Sequence, residues 1–459
     1  MINKILSAFK TIQSPLPSGG VGGGFCHAFA LIREDKLFSA IYIAGTAVAI
    51  ASAMVIAIVL NIKIADIPPE SNRSRTLYVI NGFVTDSAKA NNSGLQFGVS
   101  TAAIDSTFRK MECVEAVTGV TYTQLIVGDD EEKKTMNAFA IGCDPDFFRI
   151  YDLAFIDGRP FSEKEFRGGE PVCVISDKVA KQLGNTTHIV LDRINKRLSL
   201  RIVGVVKAVS GLMENTAADL YVPYKLEGDV FFKPDQQIEG ISYSGHLAVQ
   251  VMLQKGFSRK DFLEELEPMR QHYKVVVSSQ LGENTEWVVS ATSHFFKNLN
   301  FFGEIDAEGF KDQAKNLMVP AILMLLFLFL PAINLSGLVS NRMEARRAEM
   351  GIRKAFGAKR RTLLNEVIHE NLVLTLCGGL VGWVLSGLFI NAVANSEVMK
   401  NIFRGNGHYD PSFDFQMFFT PTLFLIAFAC CALLNLMAAL IPAWRSLRKP
   451  IVESLNQKR

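Results

Sequence analysis

Charged residues are spread very unevenly along this chain. Leu37–Ile62, Asn316–Asn341, Asn371–Ser396 and Phe415–Trp444 contain no Asp, Glu, Lys or Arg. Each stretch exceeds the roughly 20 apolar residues that a bilayer core requires. A helix rises about 1.5 Å per residue, so each is long enough to cross with some tilt. Buried helices of soluble proteins seldom run so far without a charge. The pattern predicts an α-helical membrane protein with four transmembrane helices, at 37–62, 316–341, 371–396 and 415–444. Residues 63–315 carry charges throughout. They read as a large α/β extracytoplasmic domain inserted between helices 1 and 2.

Within that domain the apolar period shortens. Thr76–Ile80 is a β-prone run, Ser100 is a helix cap with Ile104, Phe108 and Met111 at helical spacing through Met111, and Val114–Ile126 is β-rich. A second unit of the same kind follows, with a strand at His246–Leu253, a helix capped by Ser258 and carrying Phe262, Leu263 and Leu266, and a strand at Lys274–Ser278. These two βαβ-type units, about 70–140 and 241–285, flank a different middle section, about 141–240. Phe147–Tyr151 there leads to a turn at Asp157–Phe161. A strand at Pro171–Ser176, a short helix at Asp177–Leu183, a strand at Leu198–Val206 and another at Leu220–Tyr224 follow. The arrangement predicts one domain interrupted by an inserted one.

Lys and Arg in short flanking segments set the orientation of membrane helices. Lys4, Lys10, Arg33 and Lys36 precede the first block, and eight basic residues from Arg342 to Arg361 lie between the second and third. Arg445, Arg448, Lys449, Lys458 and Arg459 follow the fourth. The 397–414 loop has Lys400 and Arg404 balanced by Glu397, Asp410 and Asp414. Residues 1–36, 342–370 and 445–459 are therefore expected in the cytoplasm, with 63–315 and 397–414 outside. The first block starts late, runs long and shows no cleavage site, unlike a signal peptide. It is rich in small residues from Ala44 to Ala53, and the third block has Gly378, Gly379, Gly382, Ser386 and Gly387. Such residues let helix backbones approach closely.

Net charge is +3, too small for a global field toward nucleic acid. Ser14–Gly24 is rich in Pro and Gly and reads as a flexible tether. It lacks the Gly-Lys-Ser/Thr of a phosphate-binding loop, as does the rest of the chain. If transport is driven by ATP, the ATPase must be another polypeptide. His188, His246, His272 and His294 have no metal-ligand spacing, and Asp129–Glu132, followed by Lys133 and Lys134, reads as a solvated loop. No catalytic residue, cofactor site or metal site is expected. Of the 7 cysteines none forms a Cys-x-x-Cys pair. One bridge among Cys113, Cys143 and Cys173 is left open. Residues 344–361 read as a basic amphipathic helix ending at Gly357, with Met350, Ile352 and Phe356 on its apolar side and Arg346, Arg353 and Lys354 for charge. That composition suits a groove on a partner protein and the surface of membrane lipid alike.

The run Glu349-Met-Gly-Ile-Arg-Lys-Ala-Phe-Gly-Ala-Lys359, with Glu366–Glu370 leading into the third block, resembles the motif of the FtsX/MacB family of ABC transporter permeases. Pro442–Leu455 is similar to that family's closing pattern. Gly158–Phe161, Val203–Val206 and Tyr221–Pro223 resemble its MacB-like periplasmic core domain. The region 184–197 departs from the family by lacking a Gly-Lys turn. The resemblance implies that Glu349, Met350, Gly351, Ile352, Arg353, Ala355 and Gly357 couple the chain to a cytoplasmic ABC ATPase subunit. It also implies a permease dimer, with itself or with a paralogue, in a bacterial inner membrane. ATP hydrolysis would then move the periplasmic domains for export or extraction of a substrate. A regulator of a periplasmic partner such as a cell-wall hydrolase and an ATPase-independent receptor stand as alternatives.

Overall fold

The computed structural model describes residues 36–85, 94–129, 134–299 with short interruptions, scattered positions between 318 and 344, 355–394 and 421–448. Elements are numbered from Lys36. Helix α1 spans Lys36–Ile64, and strands β1 Thr76–Thr85 and β2 Gly94–Phe97 follow. Helix α2 is Thr101–Ser106, with β3 at Val114–Asp129 and β4 at Thr135–Cys143. Next come α3 Phe147–Ile150, β5 Phe155–Gly158, α4 Glu163–Arg167, β6 Val172–Ser176, α5 Asp177–Leu183, β7 His188–Arg193, β8 Lys196–Val206 and β9 Leu220–Pro223. A hairpin of β10 Gln236–Ile238 and β11 Ile241–Ser244 precedes β12 Ala248–Leu253, α6 Arg259–Leu281, β13 Thr285–Ser293 and α7 His294–Leu299. Helices α8 Arg360–Ala394 and α9 Pro421–Arg448 complete the described elements. The chain forms two compact units. One comprises Met1–Ile58, Ala321–Ile390 and Phe418–Arg459, and the other Val59–Pro320 and Asn391–Met417.

In the α/β unit the strands run β13-β1-β12-β3-β4-β9-β6-β8-β5. The first four alternate antiparallel, so β1 and β3 are parallel with β12 between them, and β12 and β13 are parallel with β1 between them. These are two split βαβ units interlocked in a ferredoxin-like order. Helix α2 with the turn that follows it, and helix α6, supply the apolar cover, with Ile104, Phe108, Phe262 and Leu266 buried and the rings of Phe108 and Phe262 stacked 6.1 Å apart. The elements from β4 to β11 lie in sequence between β3 and β12. Strand β3 serves both parts: Val114–Val120 pair with β12 and Thr121–Gly128 with β4. The second part has its own core, including Leu125, Val127, Ala140, Ile175, Leu191 and Leu200.

Local chemistry accounts for the β5–α4 corner. Gly158 has φ +70°, and a Cβ there would stand 2.3 Å from the Val203 carbonyl oxygen; one on Gly204 would stand 2.5 Å from that of Arg159. Two glycines therefore permit the close backbone pairing in which the Arg159 amide donates to Val203. Ser162 and Glu165 form a capping box on α4, and Arg159 donates two bonds of 2.8 Å to the Glu165 carboxylate. Arg159 and its neighbours hold that carboxyl down at about 2. Phe161 is buried against Phe148.

Two expected elements differ. Ser100 caps a helix, accepting from the Ala103 amide, but the helix ends at Ser106 and a 3-10 turn at Phe108–Lys110 carries the chain to Met111. Lys274–Ser278 is not a strand but part of the 23-residue helix α6. Three valines cost a helix only a few tenths of a kcal/mol each. The place beside β1 is taken by β13, with nine paired positions from Thr85↔Thr285 to Leu77↔Ser293. Cys113, Cys143 and Cys173 are free and buried, which leaves them unbridged. Burial pushes all three thiols up, that of Cys113 to about 12.

The two parts of the unit also meet where the partly exposed Arg109 donates from Nη2 to Oδ2 of the buried Asp144 at 2.8 Å, with Asp105, Asp146 and Glu163 around the same guanidinium. Burial pushes the Asp144 carboxyl up to about 7, against the opposing pull of Arg109. A carboxyl raised in the folded state stabilises the fold at low pH, and that contribution is lost as pH rises through about 7. Thermal unfolding of the detergent-solubilised protein is therefore expected to lose about 2 kcal/mol between pH 5.5 and 8. Asp144→Asn should flatten that slope. An unchanged slope in the variant would remove Asp144 as its source.

Candidate functional site

The membrane-type unit is built on close helix contacts. A Cβ on Gly378 would lie 2.7 Å from Thr46 Cβ, one on Gly382 would lie 2.7 Å from the Ala47 carbonyl oxygen, and one on Gly379 would lie 2.5 Å from the Phe428 ring. Small residues of α8 thus seat it against α1 and α9, as expected where helices meet without a hydrophobic driving force from water. Gly387, in the same run, faces open space. Toward one end Tyr42, Val367, Leu374 and Ala443 form a buried cluster from all three helices. Among the described residues, Lys36–Val55 and Arg360–Phe389 are long and apolar enough to cross a membrane, and α9 has a shorter apolar stretch, Phe424–Met437. The block expected at 316–341 lies almost wholly outside the described residues.

That cluster supports a corner of the chain. Ala355 is helical, Gly357 has φ +91°, and α8 starts at Arg360. A glycine with positive φ directly after helical residues is the geometry that ends a helix and turns the chain. Phe356 at this corner is 88% exposed, and Lys359, Arg360 and Arg361 are exposed beside it. Below it Leu363 and Val367 are buried, and so are Glu370 and Asn371, with Asn371 Nδ2 donating to the Val367 carbonyl at 2.8 Å. The helix is continuous from Arg360 through Ala394, and Phe356–Lys359 form the turn that joins Ala355 to it. An apolar ring among fixed cations is chemically suited to enter a groove on another protein. Of the predicted coupling residues, Ala355 and Gly357 are at this corner; Glu349, Met350, Gly351, Ile352 and Arg353 lie outside the described residues.

At the other end of α1 there is a buried ionic assembly with no counterpart in the sequence expectations. Arg73 Nη1 donates to the carbonyl oxygens of Ile62 at 2.5 Å and Ala65 at 2.8 Å, capping carbonyls that a helix end leaves without partners. Its Nε donates to Glu70 Oε2 at 2.8 Å, and both side chains are almost wholly excluded from solvent. Burial would raise the Glu70 carboxyl, but Arg73 and the other groups around it hold it below the usual range. The legible signal was an acid and a base, Glu70 and Arg73, one turn apart directly after an apolar helix. Among the described residues no group of three or more His, Cys, Asp or Glu is placed to hold a metal.

Residues 39–269 match the model of the MacB-like periplasmic core domain, and residues 321–451 match that of the FtsX-like permease C-terminal region. An uncharacterised ABC transporter permease of Bacillus subtilis, YknZ, is 25% identical over 290 residues, which is 61% of this chain and 66% of that protein. The macrolide export ATP-binding/permease protein MacB of Haemophilus ducreyi is 24% identical over 338 residues, 71% of this chain and 41% of that protein. The chain thus spans about two thirds of one curated relative and under half of the other. Among solved structures, the periplasmic region of MacB from Actinobacillus actinomycetemcomitans aligns with a TM-score of 0.35 and 13% identity, over 50% of this chain and 95% of that one.

The glycine contacts generate a test. Gly382→Leu forces side-chain atoms into the Ala47 backbone, and overpacking of this kind costs about 1–3 kcal/mol or more. A Cβ on Gly387 meets nothing within 4 Å, so Gly387→Leu has room that Gly382→Leu lacks. After graded heating in detergent, size-exclusion profiles should show Gly382→Leu losing its folded peak several degrees below the parent, with Gly387→Leu unchanged. Equal behaviour of the two variants would refute this packing.

Proposed function

Because the chain belongs to the FtsX/MacB family of ABC transporter permeases, we propose that it is the transmembrane subunit of a transporter whose ATPase is a separate polypeptide. The family is membrane-embedded, carries a periplasmic domain and works as a dimer with a cytoplasmic ABC ATPase. One observation carries the reading to this chain: a MacB-like periplasmic core at 39–269 is followed, in the same polypeptide, by an FtsX-like permease region at 321–451.

In this reading four helices cross a bacterial inner membrane, with the α/β domain inserted between the first and second. The apolar blocks and the basic flanks support it. The chain pairs with itself or with a paralogue, and membrane lipid surrounds the dimer. Glu349–Gly357 enters a groove of the ATPase. The exposed Phe356 beside the positive-φ Gly357 and the continuous helix α8 that follows them support this. Movement of those helices drives the periplasmic domains, which export or extract a substrate. The chain itself supplies no ATPase chemistry.

Affinity purification of the tagged chain from gently solubilised membranes, with mass spectrometry of what accompanies it, tests the reading. An ABC ATPase is expected with the parent and is expected to fall at least tenfold in Glu349→Lys/Arg353→Glu. Absence of any ATPase from the parent preparation would overturn the transporter assignment. Equal recovery from parent and variant would remove this segment as the contact.

A further inference from the structure

Asn215 stands on the turn between β8 and β9, 1% exposed, and its side-chain amide and backbone N–H are directed to other parts of the chain. Its Nδ2 donates to Glu70 Oε2 and to the Tyr78 hydroxyl, each at 3.0 Å. Its backbone amide donates to Glu70 Oε1 at 3.1 Å. Its Oδ1 accepts from Lys297 Nζ at 2.8 Å. Thr216 Oγ1 adds a bond to Glu70 Oε1 at 3.0 Å, and Arg73 Nη2 reaches Met213 Sδ at 2.9 Å.

These partners belong to segments far apart in sequence. Glu70 and Arg73 follow α1 and hold its last turn. Lys297 is on α7, the last element among the described residues before the apolar block that starts at Asn316. The ammonium of Lys297 also lies 4.1 Å from the centre of the Tyr78 ring, and the Tyr78 hydroxyl is 2.8 Å from His294 Nδ1 on the same helix. The exit of α1 and the approach to the next apolar block are thus gathered on one amide side chain, contributed by the segment between β3 and β12. An amide is suited to this position because it donates to a carboxylate on one side and accepts from an ammonium on the other. A carboxylate of the same shape would oppose Glu70, and an apolar residue would leave buried charge unpaired.

We propose that Asn215 is the hub of an interlock, with Glu70–Arg73 on one side and Lys297 on the other, that makes the end of α1 and the helix α7 move as one body with the β8–β9 turn. Displacement of either chain crossing is then delivered to the β4–β9 part of the sheet through this contact. The proposal rests on the permease reading only for its purpose; the interlock itself is a property of the fold.

Hydrogen exchange by mass spectrometry on the full chain in detergent tests it, reading residues 59–66, 210–217 and 294–299, with 172–176 as the reference segment. Asn215→Asp is expected to raise exchange about tenfold in all three segments and leave the reference unchanged. An increase confined to 210–217 would overturn the interlock. Should Asn215→Asp alone lose protection in the reference segment and so fail to fold, Lys297→Met decides. It must raise exchange about fivefold in 210–217 as well as in 294–299, and an effect restricted to 294–299 overturns the proposal. Exchange is read without nucleotide or partner. Failure here therefore leaves the permease assignment standing, and failure of the copurification leaves the interlock standing.

Discussion

A helix that ends inside protein leaves its last carbonyls without partners. Here a single guanidinium, that of Arg73, takes two of them. Much of the root of the α/β unit follows from that choice. A cation so deeply buried needs an anion with good geometry, which Glu70 provides. The carboxylate in turn needs donors for its remaining lone pairs, and Asn215 and Thr216 provide them. Asn215 then needs a donor for its own oxygen, which is Lys297. Each group is tolerable only because the next is present, so the assembly is selective about what may occupy any of its positions. Low local dielectric strengthens every link and makes a missing one costly.

The same economy of contact appears in the other unit, by opposite means. There the helices meet through the absence of side chains at Gly378, Gly379 and Gly382, and contact is made by backbone and dispersion rather than charge. The corner at Phe356 and Gly357 extends from the same helix α8 that is held in this way.

Legibility from sequence tracked the range of the interactions involved. Val172–Ser176 and Asp177–Leu183 were readable because alternation and a Ser cap are local signals, and Ser176 does cap its helix by accepting from the Val179 amide. The small-residue run of the third block announced close packing, though not that Gly387 would face away. Lys274–Ser278 misled because valine preference is weak, while the vacancy beside β1 was filled by residues further on. The Glu70–Arg73–Asn215–Lys297 assembly was hidden for a different reason: its members are up to 227 residues apart, between Glu70 and Lys297, and no periodicity connects them. The Gly158 and Gly204 pair lies between these cases. Both glycines sit in motifs that the resemblance singled out, but only the facing backbones explain why neither tolerates a Cβ.

Strand β3 has a consequence for how the α/β unit deforms. Its 16 residues pair first with β12 and then with β4 without a break. Two bodies joined by a loop can swing freely; two that share one strand cannot. Strand β3 passes from one partner to the other at Val120–Thr121. A change of angle between the ferredoxin-like part and the β4–β9 part therefore has to bend a backbone already committed to strand pairing on both sides of that point.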